Sequence, residues 1–256
     1  GQTIKVPSLT LKGFKFHNRS GGFNRQDITS IYREFKLRHD RDVEFYVDRM
    51  DVDETNQALA AANITNQFER EHAIVETDCY RLSEIYAQFK ANGGTVDTTV
   101  LTADNILNVF DKMMMNMDEL QVPTTGRILY INPVSYRLLK SASGIQRTLD
   151  VNNAAGNVDT NITMLDGVKV VLTPSSRMWS KYDFTDGWNF HTDGGQINMI
   201  LIHPNSVIAV NKHSYIKLWP EGTHTMGDGY LYQNRQFMDI FVIQDKISGV
   251  AISATK

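Results

Sequence analysis

At 256 residues and 29.0 kDa the chain is long enough for one large domain or two smaller ones, and a chain of this size buries about three-quarters of its unfolded surface. With 41% apolar and 21% charged residues it has an ordinary globular composition, and no apolar run exceeds the five residues Ala58–Ala62, far short of the about 20 that span a bilayer. A net charge of −3, with 26 basic residues against 29 acidic ones, speaks against a dominant nucleic-acid-binding role, which needs clustered Lys and Arg.

The first thirty residues do not read as part of a packed core. Ile4, Val6 and Leu9 are followed by Pro7, Gly13, Gly21 and Gly22 with polar residues between, and Gly1–Pro7 has no apolar h-region. Fully extended, residues 1–24 reach about 80 Å. The aromatics Phe14, Phe16 and Phe23 favour an arm that docks on another surface. Residues 31–49 then alternate with period two. Ile31, Phe35 and Leu37 are separated by Glu34, Lys36 and Arg38, and Val43, Phe45 and Val47 by Glu44, Tyr46 and Asp48. A hairpin turning at His39-Asp40-Arg41 places Leu37 opposite Val43 and Phe35 opposite Phe45. It also sets Lys36 beside Glu44 and Arg38 beside Asp42, although no glycine serves the turn. Such a two-stranded ribbon is marginal alone and needs a surface to lie on.

Asp51-Val52-Asp53-Glu54 has the form of a capping box, and no Gly or Pro follows from Asp53 to Ala91. Ala61, Ile64, Phe68, Val75, Cys79, Leu82, Tyr86 and Phe89 fall at helical spacing, broken only around His72. Asn63, Thr65 and Asn66 predict a short helix and then one of about 27 residues, stopped at Asn92-Gly93-Gly94. A second helix capped by Thr102 carries the stripe Ile106, Phe110, Met113, Met117 and Leu120. A strand over 127–131 leads into a helix opened by Pro133. Further strands are expected over 168–172, 197–202, 207–210, 215–218, 237–243 and 250–252, with polar loops at 143–167 and 174–196. The sum is α+β: an arm, a hairpin, a spine helix, and a mixed region closing with strands.

No phosphate loop, nucleophile elbow, dinucleotide fingerprint or zinc-helix motif is present, and the single Cys79 excludes an internal disulfide. His72 and Glu76 stand four apart on the helix, but nothing indicates a third ligand. Asp183, Asp186 and Asp193 lack the spacing of a calcium loop, and Asp-Gly pairs mark turns.

The stretch from Asp48 to Asn56, followed by Glu76-Thr77-Asp78-Cys79-Tyr80-Arg81-Leu82-Ser83, resembles the major capsid proteins of tailed bacteriophages with the HK-ninety-seven-like fold. Arg127-Ile128-Leu129-Tyr130-Ile131-Asn132-Pro133, running on through Tyr136-Arg137-Leu138-Leu139-Lys140, resembles the same family. So does Ile202-His203-Pro204-Asn205-Ser206-Val207, continued by the aromatic-rich region 230–242.

The resemblance implies an N-terminal arm over 1–24, an extended β-hairpin loop over 25–50, and a peripheral domain over 51–120 and 219–256 around an axial domain at 121–218. Phe14, Phe16, Arg33, Phe35, Lys36, Arg38, Phe45 and Tyr46 become inter-subunit contacts, with Phe35 and Phe45 buried against a neighbour. Asp48, Arg49, Asp51 and Glu54 form the hinge. It further implies a non-enzymatic shell protein without catalytic residues, cofactor or metal. Such a protein assembles in the bacterial host cytoplasm, through hexamers and pentamers, into an icosahedral virion capsid. That shell encloses double-stranded DNA without sequence-specific binding, and its partners are a portal and scaffolding or decoration proteins, with no membrane. An encapsulin-type cellular shell is the nearest alternative. A β-rich hydrolase or carbohydrate-binding module using Asp183, Asp186, Trp179 and Trp188 is a further one.

Overall fold

The computed structural model describes residues 2–17, 21, 23, 25, 28–48, 60–145, 150–152, 157–159 and 161–256. β1 (Thr3–Thr10) pairs antiparallel with β2 (Thr29–Lys36) along its whole length, Thr3 opposite Lys36 and Thr10 opposite Thr29. β3 (His39–Val47) follows directly but pairs with residues Tyr230–Met238, not with β2. The expected hairpin around His39-Asp40-Arg41 is therefore not formed. The strands are as the alternation predicts, and the partners are not. No glycine offers a positive φ for a reversal there. Of the charges expected to pair across the hairpin, Glu44 instead accepts from Gln233 Nε2 at 2.6 Å and Asp42 stands opposite Arg235 on the partner strand, while the Lys36 and Arg38 side chains are exposed.

The long helix is continuous but not uniform. α1 (Ala60–Phe68) passes through a π-helical turn at Glu69–Ala73 into α2 (Ile74–Ala91). Asn63, Thr65 and Asn66, expected to break it, lie inside α1. Such residues cost only a few tenths of a kcal/mol each in a helix and are not breakers. The widened turn sits where the Glu69 carboxylate reaches across to accept from Tyr232 Oη (3.1 Å) and from the Asn234 amide. The capping box at Asp51–Glu54 lies outside the described residues. α2 ends as predicted at Asn92-Gly93-Gly94, where Gly93 takes φ +89° and the Gly94 N–H closes on Phe89 O at 2.9 Å. A Cβ at Gly94 would lie 2.5 Å from the Phe89 ring, so the stop and the core are built together.

α3 (Ile106–Glu119) buries Ile106, Phe110, Met113 and Met117, while Leu120 lies past its end and is exposed. Its entry is a turn in which the Thr102 N–H donates to Asn105 Oδ1 (2.8 Å), not a threonine cap. β4 (Ile128–Ile131) leads into α4 (Pro133–Ser141), capped by Asn132 Oδ1 on the Ser135 N–H at 2.7 Å. β5 (Asp150–Asn152), β6 (Asn157–Asp159), β7 (Met164–Leu165) and β8 (Val168–Leu172) follow. After them come β9 (Tyr182–Asp183), β10 (Asn189–Phe190) and β11 (Ile197–Ile202). β12 (Val207–Trp219), β13 (Tyr230–Val242) and β14 (Val250–Ala254) complete the chain.

Two sheets dominate. One has the order β14-β11-β4-β8-β7, with β4 and β8 parallel, and the other is the antiparallel β12-β13-β3. The expected boundary between 218 and 219 falls inside the β12–β13 pairing, and β14 returns to the first sheet beside β11. β12 is one strand where two short ones were expected. Asn211–Ser214 are exposed on both faces, so no alternation marks them. α2 binds the two sheets together: Leu82, Ile85, Tyr86 and Phe89 meet Ile200 and Ile252 of one and Ile240 and Val242 of the other. The opposite side of β11, Met199 and Leu201, packs on Phe110, Met113 and Met117 of α3. Among the described residues no helix is long and apolar enough to cross a membrane.

Where ribbon, sheet and helix meet stands Asp239, 2% exposed. Its Oδ2 accepts from the Arg38 N–H (2.8 Å) and its Oδ1 from Tyr80 Oη (2.9 Å) and the Ile240 N–H (2.8 Å). Burial, reinforced by this carboxylate, raises the Tyr80 phenol well above its usual range, so it remains a donor. Removing a buried charged acceptor strands its donors. Asp239→Ala is expected to lower the unfolding free energy by about 3 kcal/mol in urea denaturation, and Asp239→Asn by less, because the amide keeps one acceptor.

Candidate assembly interface

The apolar face of residues 31–47 stays on one side throughout, but what lies beneath it changes. Leu37 is 2% exposed, Phe35 and Arg33 are half-buried, and Ile31 is 56% exposed. The ribbon thus leaves the body of the subunit at Leu37 and carries its apolar side past the end of its own core. Beyond the strands Leu11, Phe14, Phe16, Phe23 and Ile28 are exposed, interleaved with the exposed cations Lys12, Lys15 and Arg25. The paired segment is eight residues long, or roughly 26 Å at the usual rise.

The ribbon's root is fixed. The Leu37 N–H donates to Gln2 O (2.8 Å), and the Arg33 guanidinium donates to Gln244 Oε1 (3.1 Å) and Asp245 Oδ1 (2.8 Å). The Phe35 ring lies 4.8 Å from that of Phe241. Phe45 stands edge-on to Phe68 at 5.2 Å and parallel to Tyr232 at 6.0 Å. Phe35 and Phe45, expected to bury against a neighbour, therefore pack within their own subunit. Lys36 and the Arg38 side chain are exposed. Tyr46 is partly exposed, with its hydroxyl accepting from the Gly229 N–H at 3.1 Å. Of the expected hinge, Asp48 is half-buried, and Arg49, Asp51 and Glu54 lie outside the described residues. Asp239 and Tyr80 were not foreseen. An aspartate inside the apolar run 237–243 is the signal that could have found them, since a buried carboxylate demands partners.

Beside the root, His39 is 6% exposed and stacks on Tyr80 at 3.8 Å. Burial, with Arg41 adding to it, pushes its pKa down from 6.5 to about 4, and Asp40 opposes this only in part. Glu76 lies 3.6 Å from His39 Nε2, yet its carboxylate is already engaged by Arg41 Nε at 2.8 Å, so the imidazole stays neutral. His72, the other half of the i,i+4 pair with Glu76, instead lies parallel to the Phe68 ring at 5.6 Å.

The loop carboxylates do not make a reactive pair. Asp183 Oδ1 accepts from the Thr185 N–H (2.9 Å) and hydroxyl (2.6 Å), which lowers its pKa. Trp179 and Trp188 are half-buried within a cluster of Tyr182, Phe184 and Phe190, not displayed as a platform. Cys79 is fully buried, and burial raises its thiol to about 11.

No protein-family model matches the chain, and no curated protein is similar to it in sequence. Its three-dimensional arrangement does have counterparts. It matches the mature capsid of bacteriophage PhiM1 over 99% of this chain and 82% of that one, with a TM-score of 0.68 at 12% identity. The chain has a phage capsid fold. Structures from Gordonia phage Cozz (TM-score 0.64, 15% identity, 99% and 81% covered) and Mycobacterium phage Che8 (0.62, 15%, 99% and 84%) share it. A virus-like particle from Pyrococcus furiosus is similar at a TM-score of 0.54 and 13% identity, over 99% of this chain and 86% of that one. The α+β, HK-ninety-seven-like architecture expected from the sequence is the one found.

Two measurements follow from this geometry. His39 is protonated more readily unfolded than folded, so its contribution is complete above about pH 6.5 and is lost as the pH falls toward 4. The loss is at most about 3 kcal/mol. Urea midpoints taken between pH 7 and pH 4.5 should fall less steeply for His39→Phe than for the parent chain. Phe45→Ala should cost the subunit about 3 kcal/mol, whereas Phe14→Ala should leave its stability within about 0.5 kcal/mol. Equal losses from the two would show that the tip also packs within the subunit.

Proposed function

We propose that this chain is the major capsid subunit of a tailed bacteriophage. It would close through hexamers and pentamers into an icosahedral shell around double-stranded DNA, after assembly in the host cytoplasm. The observation that carries this is the ribbon, whose apolar face runs from the buried Leu37 to the exposed Ile31 and on to the Phe14–Phe16 tip. A chain that folds alone has no use for a projecting apolar strip, and exposed patches of this kind mark association surfaces. On this reading the extended loop is the β1–β2 ribbon, residues 3–36. The peripheral part is α1, α2 and the β12-β13-β3 sheet, and the axial part is the five-stranded sheet with α3 and α4. Arms exchanged in one direction make each contact heterologous, which closes into rings when the rotation permits. Portal, scaffolding and decoration proteins are the partners such a shell would need.

Electron microscopy with light scattering of the purified chain tests this. Closed shells, or rings of five and six, are expected. Substituting Phe14, Phe16 and Phe23 together by Ser should abolish them with the thermal midpoint of the subunit unchanged. A 29 kDa monomer at every concentration and salt, in the presence of crowding agents, would overturn the proposal.

A further inference from the structure

The three-stranded sheet is finished on one side and unfinished on the other. β13 is largely buried on both faces, but among the described residues β12 has β13 as its one strand neighbour. Residues 211–218 form eight consecutive positions exposed on both faces. Among the described residues no backbone hydrogen bond reaches the outer edge of β12. A long bare edge is a template for another strand.

The side chains say what kind of strand. His213, Tyr215, Lys217 and Trp219 line the face that β13 continues with Phe237, Arg235, Gln233 and Leu231, and β3 with Asp40, Asp42, Glu44 and Tyr46. Charge is therefore sorted across the sheet. The acidic row lies on β3, with Asp40 on Arg235 and Glu44 on Gln233, two strand spacings or roughly 10 Å from β12. β12 has no acidic residue, and among the described residues no carboxylate lies within ion-pair distance of Lys212 or Lys217. Lys217 Nζ rests on the Trp219 ring, 3.3 Å from its centroid. On the other face Ile216 and Leu218 remain 50% and 40% exposed. Lysines alone can keep an edge bare, but Tyr215, Ile216 and Leu218 left in water beside them work against that purpose.

We propose that the outer edge of β12 over residues 211–218 is a strand-addition site for an extended segment of a partner polypeptide whose side chains alternate carboxylate and apolar. The carboxylates meet Lys217 and the bulged Lys212, the apolar residues cover Ile216 and Leu218, and the edge amides and carbonyls complete the ladder. The site is present in the single subunit and does not depend on the shell reading.

Hydrogen exchange on the full chain tests it, with an end-blocked alternating glutamate–valine octapeptide as probe. Alternate amides within 211–218 should exchange about tenfold more slowly at saturating peptide. A lysine–valine peptide should bind at least about tenfold more weakly, and Lys212→Glu with Lys217→Glu should reverse that preference. An analogue N-methylated at every second residue keeps the charges but loses the ladder, and should not protect the edge. Unchanged exchange, protection located elsewhere, or equal binding by the N-methylated analogue would overturn the proposal. So would protection without peptide that rises with protein concentration, which would give this edge to a second copy. The last result would leave the shell reading standing, and failed assembly would leave this one standing.

Discussion

One buried carboxylate indexes the spine helix, the three-stranded sheet and the root of the ribbon to one another. Asp239 cannot be left without donors, because an uncompensated charge in the interior costs several kcal/mol. The donors it takes come from different places: the main chain where the ribbon departs, the phenol of Tyr80 on the spine helix, and the next amide of its own strand. Strand, helix and ribbon are therefore indexed to one another at a single point. Sliding β3 by one residue along β13 would turn every side chain to the wrong face and take the Arg38 amide away from its acceptor. The apolar contacts of α2 with both sheets hold the two sheets together, but they are tolerant of small shifts. The carboxylate is not.

The same indexing explains how a projecting ribbon can be part of a rigid body. Its root is tied by Gln2, Arg33, Phe35 and Leu37, and only beyond that point does the apolar face lose its cover. On the proposed reading, a ribbon already held in a defined direction spares the contact its ordering cost. Identities of 12–15% with phage capsid structures over nearly the whole chain fit this logic. A fold of this sort needs an alternating strip, a long amphipathic helix and a few polar anchors, and many sequences satisfy that.

Much of this was legible in the residues because the signals are local. The Asn132 cap, the Gly93–Gly94 stop and the stripe from Ile106 to Met117 each depend on neighbours within a turn or two. Strand partners are not local. A tight hairpin at His39–Arg41 and a straight passage through it put the same odd-numbered residues on the same face, so alternation could not separate them. Only the later arrival of β13 decides, by offering Arg235 to Asp40 and Gln233 to Glu44. β12 escaped in part for the opposite reason. A strand wet on both faces has no periodicity to read, and Asn211–Ser214 passed for a break. Of the candidate contacts, Phe14 and Phe16 are exposed, while Phe35 packs on Phe241 and Phe45 on Phe68 and Tyr232 of the same chain.

The π-helical turn at Glu69–Ala73 changes how the spine can be divided. A π turn is an α-helix carrying one residue more than the ladder requires, and each residue is worth about 100° of rotation about the axis. Counted in sequence, the apolar positions of α2 are therefore offset from those of α1. The face α2 shows to Ile240 and Ile252 is set independently of the face on which Phe68 meets Phe45. The extra residue works like a vernier, letting one rod satisfy two surfaces whose spacings do not match. Deleting one residue from this turn would make the helix regular and leave its two ends close to the phase they have now, whereas a deletion within α1 or α2 would put them out of step with the sheet that both must fit.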